Sequence, residues 1–381
     1  CVPFHQIRFQ AQEGEQTWGF DAMRSYPRHD RHHIGLFARE RGNNSYLGQT
    51  VKLRGWEDVT PGRNLEIVPT VVATRTEARD ELVDESLELD DQSAEVGVSA
   101  RWGITPDVSL NAALNPDFSQ VEADVLRLDI NRQFAIFYPE TRPFFLEGAD
   151  YFNTPLGLVY TRNVADPLGA LKVTGKKGRH TFGVFGARDE ITNVIFPGPE
   201  SSSSGSYDHQ STGTVGRYRY DFGRVSTVGG TLTDRRGEGY HNTVASADAL
   251  VRFTDADQLV VSLATSDTLY SEEMVADQEL DESLGEDSFG GDALVAEYLH
   301  TARGWWLEGT VESIGDGFRG DMGFLPRVGT KSAEVGGARI WWGDESTFYN
   351  RMSWGAEVER HRFQNGDPIE NELETWWNVS G

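Results

Sequence analysis

Cysteine is nearly missing from this chain. Cys1 stands alone among 381 residues, which excludes an internal disulfide or a zinc site built on cysteines. A cysteine at the first position reads in two ways, as the acylated residue of a lipoprotein or as an arbitrary start within a longer protein. Val2–Phe9 follows at once with the pattern of a strand and no flexible tether, which favours the second reading. Long apolar runs are missing too: nothing approaches the roughly 20 residues a membrane-spanning helix needs, and no leader-like segment is visible. Positive charge is scarce, with 35 basic residues against 60 acidic and a net charge of −25. Such a chain repels nucleic-acid phosphate. Apolar residues make up only 38%, too few for a soluble protein of this length with a thick interior. Disorder does not explain the shortage, because 10 Trp, 12 Tyr and 20 Phe are present and disordered chains are poor in aromatics. A membrane barrel explains it better, since its wall needs apolar residues only at every second position.

What the chain does have is alternation with a period of two. Ala94, Val96, Val98, Ala100 and Trp102 fall on one face of a strand, and Glu95, Gly97, Ser99 and Arg101 on the other. Beyond a turn at Thr105-Pro106-Asp107, Val108, Leu110, Ala112 and Leu114 alternate with Ser109 and Asn111. Later stretches repeat the pattern: Ala245 to Phe253, Trp305 to Val311, and Phe348, Met352, Trp354, Ala356 and Val358. One face is apolar and the other often charged. Paired aromatics (Trp305-Trp306, Trp341-Trp342, Phe348-Tyr349, Trp376-Trp377) cluster near strand ends, as in an interfacial girdle. Neighbours in a strand point to opposite faces, so one ring of each pair faces lipid at most.

Connections alternate between short and long. Tight turns are expected at Gly175–Gly178, Asp221-Phe222-Gly223, Asp255-Ala256-Asp257, Arg303-Gly304 and Gly343-Asp344-Glu345. Long polar connections are expected over Asp189–Gly213, Asp234–Asn242, Ser266–Asp292 and Gly315–Lys331. A barrel with short turns on one rim and long loops on the other has this pattern. The acidic runs Glu81–Asp91 and Glu272–Asp287 read as solvated loops, and neither has the ligand spacing of an EF-hand. Trp18–Ser25 and Leu65–Thr74 read as strands, with nothing to tell wall from lumen in the first ninety residues. The closely spaced His29, Asp30, His32 and His33 sit in an irregular stretch and are not read as a metal site.

The segment Asn115–Phe152 is distinctive. It contains Asn-Pro-Asp-Phe-Ser-Gln-Val-Glu-Ala-Asp at Asn115–Asp124 and Pro-Glu-Thr-Arg-Pro-Phe-Phe-Leu-Glu-Gly at Pro139–Gly148. Both blocks strongly resemble a family of bacterial outer-membrane proteins known as DUF5916. Trp18-Gly19-Phe20, Tyr26-Pro27-Arg28, Gly55 and Leu65-Glu66 resemble the lead into that region. The resemblance implies a carboxy-terminal β-barrel, usually preceded by a family-9-type carbohydrate-binding domain. On that expectation residues 1–10 are the end of a preceding domain, residues 11–381 a barrel domain, and residues 115–148 its motif region. The family carries no established catalytic residues.

Six carboxylates stand between Asn115 and Glu147: Asp117, Glu122, Asp124, Asp129, Glu140 and Glu147. A pair of them at suitable separation would serve glycoside hydrolysis. Arg132 and Arg142 instead offer partners for satisfied ion pairs inside a lumen or at a turn. Pro139 and Pro143 suit a sharp bend that Gly148 leaves. The reading is therefore a portion of an all-β, antiparallel transmembrane β-barrel in a bacterial outer membrane, with further strands expected beyond residue 381 and with Asp117, Glu122, Asp124, Arg132, Glu140, Arg142 and Glu147 as a ligand-binding or lumen network. No catalytic residue, metal or cofactor is expected. The expected partners are outer-membrane lipid and glycans, with glycan or nutrient binding or passage as the function. Two alternatives stay open: a membrane-anchored hydrolase using acids in 117–147, and a soluble β-rich sugar-binding protein.

Overall fold

A computed structural model describes residue 9 and residues 14–27, 31–39, 46–59, 65–78, 88–105, 107–116, 132–223, 225–344 and 346–381. Two small sheets come first. Strands β1 (Glu15–Phe20) and β4 (Val51–Glu57) pair, as do β2 (Met23–Pro27) and β3 (Arg31–Gly35). The bulk of the chain is one 14-stranded antiparallel sheet. Its strands are β5 (Leu65–Ala78), β6 (Glu88–Thr105), β7 (Val108–Leu114), β8 (Pro167–Lys177) and β9 (His180–Asp189). They are followed by β12 (Ser211–Phe222), β13 (Ser226–Gly237), β14 (Tyr240–Arg252), β15 (Asp257–Leu269) and β16 (Phe289–Thr301). The last four are β17 (Trp305–Ile314), β18 (Thr330–Trp342), β19 (Arg351–Phe363) and β20 (Pro368–Ser380). A separate hairpin, β10 (Thr192–Pro197) with β11 (Ser202–Tyr207), interrupts the series. The sheet is an up-and-down ladder, each strand beside the next of the series. The ladder is open: β5 and β20 are its two edges, and no closed barrel forms among the described residues. No described helix is long and apolar enough to cross a membrane.

Register decides which residues share a face, because cross-strand partners point the same way. Phe185 lies opposite Val215, and Ala170 opposite Ala187 and Ala113. These side chains are buried under Phe144, Phe145, Phe152 and Val164 of the long connection between β7 and β8. Farther along, Val244, Ala264, Ala293, Val295 and Ile314 lie under Leu156 and Leu158 of that connection, and under Phe318, Leu325 and Val328 of the β17–β18 connection. One face of the sheet is therefore covered by the chain's own segments. Close approach makes glycine necessary there: a Cβ on Gly183 would sit 2.8 Å from the Phe152 ring, and one on Gly291 would sit 2.4 Å from the Phe318 nitrogen.

The other face is bare and apolar. Val71, Val96, Leu171, Val184, Leu232, Leu263, Val311 and Leu373 are exposed on it. Val335, Val358 and Leu373 form one cross-strand row. Toward one rim this character gives way to Arg188, Asp234, His241, Asp267 and Arg360.

Most turns fall where expected: residues 178–179, 253–256 and 302–304, with residue 107 and residues 223 and 225, lie between strands on one rim. Four expectations are corrected. Asp234–Asn242 is no loop: β13 and β14 run through it to a two-residue turn, where Gly239 takes φ +64°. Residues 343–350 form an eight-residue connection in place of a tight turn, so Phe348 lies outside β19. The acidic run Glu272–Asp287 is more than solvated loop, because helices Glu272–Asp277 and Ser283–Glu286 form within it. Ser271 caps the first and accepts from the Met274 amide, and Met274 and Val275 are buried against Tyr270 and Phe196. The β17–β18 connection folds back over the sheet and is no projecting loop. The proposed first strand, Val2–Phe9, and most of the acidic run Glu81–Asp91 lie outside the described residues.

Candidate functional site

Asp117, Glu122, Asp124 and Asp129 lie outside the described residues, as do His29 and Asp30; His33 is exposed on β3. Arg132, Glu140, Arg142 and Glu147 are described. Pro143 opens a one-turn helix, Pro143–Leu146, and Gly148 leaves it in the left-handed conformation at φ +66°, so the bend follows from the residues that suggested it. Arg142 is only 3% exposed. Its guanidinium forks onto the Glu140 carboxylate at 2.8 and 2.7 Å and donates to the carbonyls of Thr161 and Val164, both at 2.6 Å. It also lies 4.2 Å from the Phe145 ring centroid. Glu140 further accepts from the Thr161 hydroxyl and the Arg142 amide. Burial alone would push this carboxyl up, but the Arg142 hydrogen bonds and charge, with Thr161, outweigh it and hold Glu140 below its ordinary value.

Glu147 ties the segment to the wall. It pairs with Arg101 on β6 at 2.9 Å and accepts from Asn111 on β7 at 2.8 Å. Lys172 on β8, almost fully buried, donates to the carbonyls of Phe144 and Glu147. Glu140 and Glu147 therefore sit in separate networks, each with its carboxylate oxygens engaged by donors. Arg132 stands apart from both, beside a cavity of about 750 Å³ with Phe134, Phe137 and Phe324.

A second buried network carries no motif. Arg235 on β13, 1% exposed, reaches the carbonyls of Asn193 at 2.6 Å and Asn163 at 3.2 Å. Asn163 donates to the carbonyls of Asp321 and Gly323 at 2.9 and 2.7 Å, and the Tyr240 hydroxyl donates to Asp321 at 2.7 Å. Asn242 accepts from the Asp321 amide and donates to the Arg319 carbonyl. Burial raises Asp321, partly offset by the Tyr240 hydrogen bond and the Arg235 charge. The two covering segments also bond each other, Tyr160 amide to Met322 carbonyl at 2.7 Å and Phe324 amide to Gly157 carbonyl at 3.0 Å. Together they make one layer held against the covered face.

Beyond that layer, the same face of the sheet at β17–β20 is uncovered among the described residues and chemically distinct. Glu308, Glu334 and Glu357 present carboxylate oxygens within 4.8 Å of one another, a hard-oxygen set of the kind that suits calcium or magnesium. Beside Glu308 a cavity of about 560 Å³ is lined by Arg303, Trp306, Trp342 and Arg351. Trp306 stacks with Trp376 at 6.0 Å between centroids, and Arg351 lies 5.8 Å from the Trp342 ring centroid. Sequence reading missed this group. It assigned the tryptophans to an interfacial girdle and saw the glutamates only as the polar side of alternating strands. The signal was the parity of Trp306, Glu308 and Glu312, which register extends to Glu334 and Glu357.

No curated protein matches the chain. Among solved structures, the crystal structure of Pseudomonas aeruginosa OccK10 (OpdN) is similar at 11% identity over 96% of this chain and 97% of that one, with a TM-score of 0.33. That superposition is too loose to carry an argument. The family model described as domain of unknown function DUF5916 matches residues 63–179, the stretch that holds β5 to β8 and both motif blocks.

Proposed function

We propose that this chain forms wall and plug of a bacterial outer-membrane β-barrel that binds or passes glycans. The bare face carries the reading. The fourteen strands of one ladder share a bare, apolar side, while the opposite side holds buried arginines and asparagines and the two covering segments. Water penalises that outward side and hydrocarbon does not. If the bare face meets acyl chains, the intact protein sediments with outer membranes and shows heat-modifiable gel migration. Recovery as a detergent-free monomer would overturn it.

The glycan component is supported by the family resemblance and by the cavity beside Trp306. Flat indole faces with adjacent arginine and carboxylate groups match the apolar face and hydroxyls of a pyranose. Titration calorimetry with an oligosaccharide panel tests it: Trp306→Ala with Trp342→Ala should abolish heat that the parent protein shows. A panel that gives no heat with the parent removes the glycan reading. With residues 132–166 and 315–329 lodged on the covered face, planar-bilayer conductance should be small.

A further inference from the structure

Toward the rim of the long connections, the bare face ends in polar side chains. On β13 to β15 these engage one another: Arg236 pairs with Asp234, and a His241 ring nitrogen bonds Asp267, each at 2.9 Å. On β18 and β19 they do not. Lys331 and Arg362 are cross-strand partners, and Arg360 lies opposite Ala333, so all three cations share the bare face. All are exposed. Lys331 Nζ donates to the Gln364 carbonyl and an Arg362 Nη1 to the Gly366 carbonyl, both at 3.0 Å. Both carbonyls belong to the turn of residues 364–367, which holds the two side chains in place. Among the described residues no carboxylate pairs with any of the three. Asp367, in the same turn, accepts instead from Asn365 at 2.8 Å. Directly below lie Ala333, Val335, Val358 and Leu373.

We propose that Lys331, Arg360 and Arg362 bind the phosphate of a lipid headgroup in the leaflet at this rim. The acyl chains then lie along Val335, Val358 and Leu373. Three unneutralised cations in a protein of net charge −25 form a local anion site, and guanidinium and ammonium groups bond phosphate strongly. Their place at the upper limit of the apolar belt selects a phosphate attached to a hydrocarbon anchor. The inference rests on the bare face being lipid-facing.

The test uses the full chain in phosphatidylcholine nanodiscs doped with either phosphatidic acid or diacylglycerol, which differ only in the phosphate. Retained lipid is measured by native mass spectrometry after release. The parent should retain phosphatidic acid over diacylglycerol, and Lys331→Gln/Arg360→Gln/Arg362→Gln should lose roughly ten-fold or more of that preference. The charge-conserving variant Lys331→Arg/Arg360→Lys/Arg362→Lys should keep most of it. Heat-modifiable migration of each variant reports the wall independently. A folded, membrane-borne triple glutamine variant with unchanged preference overturns this proposal and leaves the barrel intact. Binding of inorganic phosphate with no gain from an acyl anchor overturns it as well. Failure of the parent to enter membranes overturns both.

Discussion

Arg142 shows how a single side chain can hold a long segment in place. Its guanidinium closes Glu140 and two carbonyls into one buried unit, so removing it leaves an uncompensated carboxylate and two carbonyls without that donor. Arg142→Ala should cost about 3–5 kcal/mol, read as a lower denaturant midpoint with an unchanged m-value. Acid should act through Glu140 in the same direction. Its folded pKa lies below the unfolded value, so its contribution is complete above about pH 4.3 and is lost as pH falls through the folded value. Asp321 has the opposite sign. Its folded pKa is raised, so its charge opposes folding above that pKa, and protonation relieves this as pH falls. Amide-exchange protection factors across residues 132–166, taken relative to the intrinsic rate at each pH, should fall below about pH 4, and Glu140→Gln should flatten that pH dependence while Asp321→Asn should not.

Among the elements, the β17–β18 connection is the one whose position depends most on others. Asn163 supplies bonds to the carbonyls of both Asp321 and Gly323, and Met322 packs against the wall near Val215. Asn163→Ala removes the Gly323 carbonyl's side-chain donor and leaves the Asp321 carbonyl only the longer bond from Arg235 at 3.5 Å, at about 1–3 kcal/mol. Limited proteolysis should then cut within residues 315–329 while far-UV circular dichroism of the sheet stays unchanged. Equal protease resistance in parent and variant would show that the apolar contacts of Phe318, Leu325 and Val328 suffice. Similar polar chemistry sits on different elements for different ends: Glu147 anchors the first segment to β6 and β7, whereas Arg235 and Tyr240 anchor the second from β13 and β14.

For the whole molecule, the two faces of the sheet should respond oppositely to charge. Val335→Arg places a guanidinium amid Val358 and Val311 on the bare face, at about 2–4 kcal/mol if hydrocarbon surrounds it. Thr310→Arg places the same group on the covered face among Glu297, Glu334 and Glu312, where it finds carboxylates. Heat-modifiable, membrane-inserted protein should fall sharply for the first and little for the second. The same small effect in both would mean that water covers the bare face.

Strand positions, the opposed faces and most short turns were legible in the amino-acid order. Period-two alternation is a local property, and Ala94 to Trp102 displays it without help from distant residues. The bend at Pro143 and Gly148 was legible for the same reason, since φ restrictions act on single residues. Tertiary structure alone decided that residues 315–329 fold onto the covered face. Their fate depends on Asn163, Arg235 and Asn242, which bond them from 77 to 160 residues away in the chain, and no local pattern encodes such pairings. It also brought Glu308, Glu334 and Glu357 together, because register across three strands, not the spacing within one, determines which side chains become neighbours.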